Sequence, residues 1–182
     1  MGSDMTTMST SIATHRPRSR RAHLRKTLLT LHVVTAVGLL GSVAGLLVAA
    51  MRAATRDDVV DAHAIYELMA ILPFTLGIPF SFLALGSGVV LGLTSRWGVL
   101  RHWWVTAKLA LLGATILLGA LVVGPTVETL VDGTASAGAV EREGAWLLVG
   151  VLATQLAMVV AAVILAMFRP GGRTPWARPS AR

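Results

Sequence analysis

The chain has 182 residues, of which 54% are apolar and only 14% charged, and its mean hydropathy is +0.71. Soluble domains run at about 45–50% apolar and about 25% charged, and disordered chains are poorer still in apolar residues, so both classes are excluded. There is no cysteine, which removes disulfides, thiolate metal sites and cysteine nucleophiles, and the net charge of +7 is carried mostly by arginine.

Residues 1–26 form a basic tail in which Arg16, Arg18, Arg20, Arg21, Arg25 and Lys26 stand against one acid, Asp4. Residues 1–4 read as an expression-tag remnant. The stretch "SRRAHLRK" has the form of a twin-arginine export signal. The apolar run behind it is too long for a signal peptide, so it reads instead as the charged anchor of a first span. That span, 28–51, holds no charge except at its ends.

A second span is expected over 58–94, apolar from Leu68 onward, with Asp57 as N-cap and Asp58 and Asp61 in the first turn. Pro73 and Pro79 fall inside it and are expected to kink it. The third span, 102–124, carries one charge, Lys108. Behind it "DGTASAG", from Asp132, reads as a flexible linker. The fourth span, 145–168, has no charge, and the Pro- and Arg-rich tail 169–182 is expected to be disordered. About 20 apolar residues are needed to cross a hydrocarbon layer of about 30 Å, and each run meets that length. Because lipid offers no partner to a free peptide group, all four must be helices.

The expected fold is therefore all-α: an integral membrane, antiparallel four-helix bundle over 27–168. The tails and the 96–101 segment are basic, while the other two connections hold Asp57, Asp58, Asp61, Glu128, Asp132, Glu141 and Glu143. By the positive-inside rule both termini face the cytoplasm, and in a bacterium the location is the inner membrane. Small residues four apart, Gly41/Gly45, Gly88/Gly92, Ala120/Gly124 and Ala153/Ala157, are expected to bring helices together within the bundle or in a homodimer.

An ionisable group inside a bilayer is costly and marks a functional candidate. His32 lies about four residues into the first span and Lys108 about five residues past Trp103, so the two share one depth near the basic end. At 100° per residue Thr35, Ala36, Leu39 and Val43 share the face of His32, and Trp104, Leu112, Thr115 and Gly119 that of Lys108. Gly86, Ser87 and Gly88 on the second span, and Ala161 and Ala162 on the fourth, lie at the same depth and leave room for a flat ligand. The plainer readings are that His32 only hydrogen-bonds a neighbouring helix and that Lys108 snorkels to the interface. Gln155 is expected to bridge helices at mid-membrane. His63 and Glu67, one turn apart near three aspartates, form a second candidate, an external zinc or copper site.

"TLLTLHVVTAVGLLG" in the first span resembles the first helix of HemJ-type protoporphyrinogen oxidases and of the related CopD-type membrane domains. "HWWVTAKLALLGATILL" resembles that family's Trp-x-x-x-Lys helix, and "YELMAILP" its second helix, so the resemblance covers roughly residues 26–125. It implies haem b as cofactor, His32 as an iron ligand, and Lys108 as the catalytic partner that holds a second position, a propionate or the substrate. Trp104 and Ser87 would line the site. It also implies a membrane oxidoreductase that exchanges electrons with a tetrapyrrole or quinone-like partner. The competing expectation is a membrane protein without enzymatic activity, whose polar residues stabilise the bundle or bind another small molecule or metal. No strand, phosphate-binding glycine loop or nucleic-acid motif is present, and no nucleic-acid partner is expected.

Overall fold

The computed structural model describes residues 18–94, 103–136 and 141–168. These form four helices, each long and apolar enough to cross a membrane: α1 (Arg18–Ala54), α2 (Val59–Thr94), α3 (Trp103–Ser136) and α4 (Arg142–Phe168). The chain is a multi-pass, all-helical membrane protein. The expected disorder of 169–182 lies outside the described residues, as do most of the N-terminal tail and His102. The end of the bundle where α1 starts and α4 stops is called here the basic end, and the opposite one the acidic end.

Three boundaries differ from expectation. Helix α1 begins at Arg18, inside the basic tail, because Arg, Ala, Leu and Lys are strong helix formers and carry the span's helix on past the apolar run. Asp58, not Asp57, caps α2: its Oδ1 accepts the Val60 N–H at 2.9 Å. Asp57 instead pairs with Arg142 at the start of α4. The third correction is the largest. Asp132 to Ser136 are helical and close α3, not a linker.

Pro125 lies inside this helix and does not end it. A proline inside a helix has no N–H to give, and its ring collides with the carbonyl four residues back. Here a π turn over Gly119–Val123 precedes it, and the Gly124 N–H bonds the Gly119 carbonyl. The wider turn takes up the misfit, and the helix continues. Helix α2 does the same: a π turn over Pro73–Gly77 ends with the Ile78 N–H on the Pro73 carbonyl, directly before Pro79. The two π turns lie at matching heights, each roughly four turns from the acidic end of its helix at 3.6 residues per turn.

α1 packs along the whole of α2 and along α4. α3 crosses on a diagonal, its first half against α4 and its second half against α2, and it changes partner at the π turn. The main core fills the acidic half. Leu46, Ala50 and Ala53, Ala62, Tyr66 and Met69, Val123, Val127 and Leu130, and Leu148 and Leu152 meet there, at the four-then-three spacing of a buried helix stripe. The Tyr66 hydroxyl is buried there without a hydrogen-bond partner. A smaller cluster of Leu39, Val43 and Val159 with Leu40, Phe80, Leu112 and Leu156 follows at mid-bundle.

Of the small-residue pairs named from sequence, only Gly88/Gly92 contributes a close approach within the bundle, at Gly88. Nothing lies within 4 Å of a Cβ placed on Gly41 or Gly45, and Ala120, Ala153 and Ala157 are exposed. Close approaches between helices are made instead at Gly38, Gly88, Gly119 and, by Leu130, at Gly144, of which only Gly88 belongs to a named pair. Phe80 sits on Gly38, His32 on Gly88, and Gln155 on Gly119. Each glycine receives one large side chain from the helix beside it, so bulk and gap are matched across the contact.

Candidate functional site

Toward the basic end the apolar core stops. Among the described residues no apolar side chain is buried beyond Leu39 on α1, Ala84 on α2 or Val159 on α4, and α3 has none before Val123. The buried side chains toward that end are instead polar, Thr35 and Ser87, with Thr115 at mid-bundle. The apolar core thus fills the acidic half of the bundle, and the buried hydroxyls beyond it bond carbonyls one turn back on their own helices.

His32 stands in this region. Its Nδ1 lies 3.1 Å from the Ala84 carbonyl and 3.1 Å from Ser87 Oγ. The Ser87 hydroxyl already donates to Leu83 O at 2.6 Å, so toward the imidazole its oxygen accepts. Both partners being acceptors, Nδ1 must carry the proton, and in the neutral ring the lone pair is on Nε2. Among the described residues no group bonds Nε2. The ring is pressed against α2, where a Cβ on Gly88 would come within 3.0 Å of Cε1 and 3.4 Å of Nδ1. Gly88 is thus the floor that lets the ring reach both acceptors. The face read from sequence holds: Thr35, Leu39 and Val43 are buried with it.

Lys108 stands on α3 opposite the exposed stripe of Trp103, Ala110 and Leu117, so it points into the bundle. Its Nζ lies 4.7 Å from the centre of the Trp104 ring, one turn nearer the basic end. A cation over an indole face is held electrostatically by the ring quadrupole. Of the residues named from sequence, the structure puts His32 in direct contact with Ser87 and sets Lys108 over Trp104 on α3.

Mid-bundle, Gln155 Nε2 donates to the Thr115 carbonyl at 2.8 Å, joining α4 to α3 as expected, and Gly119 leaves room for the amide. Met158 is turned toward the Thr115 hydroxyl, 3.9 Å away. It is not directed at His32, and the described residues place no second nitrogen or sulfur ligand beside that ring.

The external candidate is differently built than the sequence implied. His63 Nδ1 is 2.8 Å from Thr134 Oγ1 on α3, and Nε2 is 3.5 Å from Glu67. Sequence reasoning missed Thr134, because it fell in the segment read as a linker. Of the three aspartates, Asp57 pairs with Arg142, Asp61 with Arg56 at 3.6 Å, and Asp58 caps α2. Among the described residues no three potential metal ligands converge. This cluster ties α2 to α3 at the acidic end.

The chain matches no protein-family model, no curated protein and no solved structure. The site must therefore be read from its own chemistry.

Proposed function

We propose that this protein is a haem b-binding redox protein of the membrane, with its site at the basic end between α1, α2 and α3. The observation that carries the reading is the state of His32. Its Nδ1–H is fixed by a carbonyl and a serine oxygen, which leaves the Nε2 lone pair for a ligand. Metal-binding histidines are commonly oriented in this way, through a hydrogen bond from the nitrogen that does not bind. Haem iron held by one imidazole supplies one-electron chemistry when bound. The residues present fit that group at two points: His32 offers one axial nitrogen and Lys108 a cation for a propionate, while the space at Gly88 is taken by the His32 ring and Gly86 lies on another face of α2. Trp104 holds the ammonium in place, and the apolar plug on the acidic side keeps water from crossing.

Protoporphyrinogen oxidation is the narrowest form of this function and rests on the resemblance alone. The basic end is assigned to the cytoplasm by the charge rule, which in a bacterium makes the location the inner membrane. Single cysteines at Ser9 and Ser136 test this, since the chain has none of its own. A membrane-impermeant maleimide should label them from opposite sides, and labelling from one side would contradict the topology.

Lys108→Met removes the charge and keeps the volume. A charge-assisted hydrogen bond is worth about 1.5–3 kcal/mol, so haemin affinity should fall by about tenfold or more. Unchanged affinity would make Lys108 an interfacial anchor. A second reading has its own support. His32 to Ser87, Gln155 to Thr115 and His63 to Thr134 each join two helices. In a purely structural protein these links only hold the bundle, and haemin titration would show no saturable, His32-dependent binding.

A further inference from the structure

The face of α1 turned away from His32 has a chemistry of its own. Lys26, Thr30, Val34, Val37 and Gly41 recur at steps of four and three residues, fall within about 80° of one another at 100° per residue, and lie roughly opposite His32. All five are exposed. An open groove of about 480 Å³ occupies the basic end of this face, lined by Lys26, Thr27, Thr30, Leu31 and Val34. Lys26 stands at its mouth, just outside the apolar run. Among the described residues nothing pairs with its ammonium, and every acid lies at the opposite end of the bundle.

The groove changes character with depth. The Thr27 and Thr30 hydroxyls donate to the His23 carbonyl at 3.1 Å and the Lys26 carbonyl at 3.0 Å, so toward a ligand their oxygens accept and the lysine donates. Below them the lining turns apolar at Leu31 and Val34. The same face runs on through Val37 to Gly41, where nothing lies within 4 Å of a side-chain position. Leu31 to Gly41 is about 15 Å of helix, half of a hydrocarbon layer of about 30 Å. A cation and hydroxyl oxygens at the interface, above an apolar track one leaflet deep, match a phospholipid from head to tail. A second copy of the chain is the competing occupant of this face. Two-fold pairing there would set two Lys26 ammoniums and two basic tails side by side with no acid between them, whereas an anionic headgroup neutralises them.

We propose that this groove binds one anionic phospholipid from the leaflet at the basic end, its phosphate on Lys26 and one acyl chain along Leu31, Val34 and Val37 toward Gly41. The lipid ties the start of α1 to the membrane surface and leaves the His32 face untouched. The site goes beyond the haem reading and needs neither His32 nor a metal.

The test places a bimane label on Val33→Cys, exposed at the edge of this face in a chain with no cysteine of its own. The purified full chain is set in phosphatidylcholine vesicles, and circular dichroism checks that each variant is helical. Phosphatidylglycerol with a nitroxide on one acyl chain should half-quench the label at about fivefold lower mole fraction than phosphatidylcholine labelled in the same way. Lys26→Met should remove that preference, and Lys26→Arg should keep it. Arg25→Met alters a cation about 100° round the helix from Lys26 and should also leave the preference in place. Equal quenching by the two lipids would overturn the proposal, as would a preference that survives Lys26→Met. Loss of the preference to the same extent in Arg25→Met would assign it to general surface charge and overturn the site. Disulfide-linked dimers formed by Gly41→Cys and not by Val163→Cys, which is exposed on α4, would seat a second copy on this face and overturn it too.

Discussion

Replacing Gly88 with valine is expected to abolish His32-dependent ligand binding while the four helices stay folded. The added Cβ would fall within 3.0 Å of the imidazole Cε1, 3.4 Å of Nδ1 and 3.9 Å of Nε2, so it meets the ring itself and not a flexible tip. His32 must then swing away from α2, and its Nδ1 loses both the Ala84 carbonyl and the Ser87 oxygen at once. The proton on Nδ1 is no longer fixed, and Nε2 is no longer held in place. Haemin affinity should drop by more than about tenfold, equivalent to at least about 1.4 kcal/mol. Helical circular dichroism should be unchanged, because valine on a membrane helix is well tolerated. Gly86→Val is the matched control, since that glycine faces open space. Wild-type haemin affinity in Gly88→Val would show that the imidazole does not work from this position.

The second large effect concerns the bundle. Gly38→Val places a Cβ 2.8–3.0 Å from three atoms of the Phe80 ring. Overpacking of this kind costs about 1–3 kcal/mol. Phe80→Ala alone removes the ring that fills the space beside Gly38 and should also destabilise. The double variant should be more stable than the sum of the two losses implies, because each change relieves the other, and contacting residues are where additivity fails. Unfolding of detergent-solubilised protein would measure all three. Additive losses would mean that the α1–α2 contact does not rest on this pair.

What the sequence makes legible is whatever follows from one helix at a time. The four apolar runs, the face that His32 shares with Thr35, Leu39 and Val43, and the inward turn of Lys108 all come from hydropathy and a period of 3.6 residues. Even the partner of His32 was within reach, since Ser87 and Gly88 stand at its depth once α1 and α2 are taken as antiparallel. What needed two helices at once was hidden. Gly41 and Gly45 have the better small-residue spacing, yet Gly38 makes the contact, because only there does α2 present a phenylalanine. The end of α3 was hidden for a different reason. The stretch from Asp132 is rich in Gly, Ser and Thr and has the composition of a loop, and nothing in it announces that the helix continues to Ser136. With the helix ended too early, Thr134 became a loop residue and the His63 to Thr134 link across α2 and α3 could not be seen. The diagonal path of α3 follows from packing and has no signature in any single segment.

The central claim is that His32 is a haem ligand, and the absorption spectrum of the purified protein with haemin tests it most directly. The protein should show a Soret band that shifts on reduction with dithionite, and His32→Ala should lose it while keeping its helical circular dichroism. Gln155→Leu, which cuts a helix-bridging bond far from the ring, should leave the band in place. A band that survives in His32→Ala, or haemin that never gives a saturable band with the folded wild-type protein, would contradict the account.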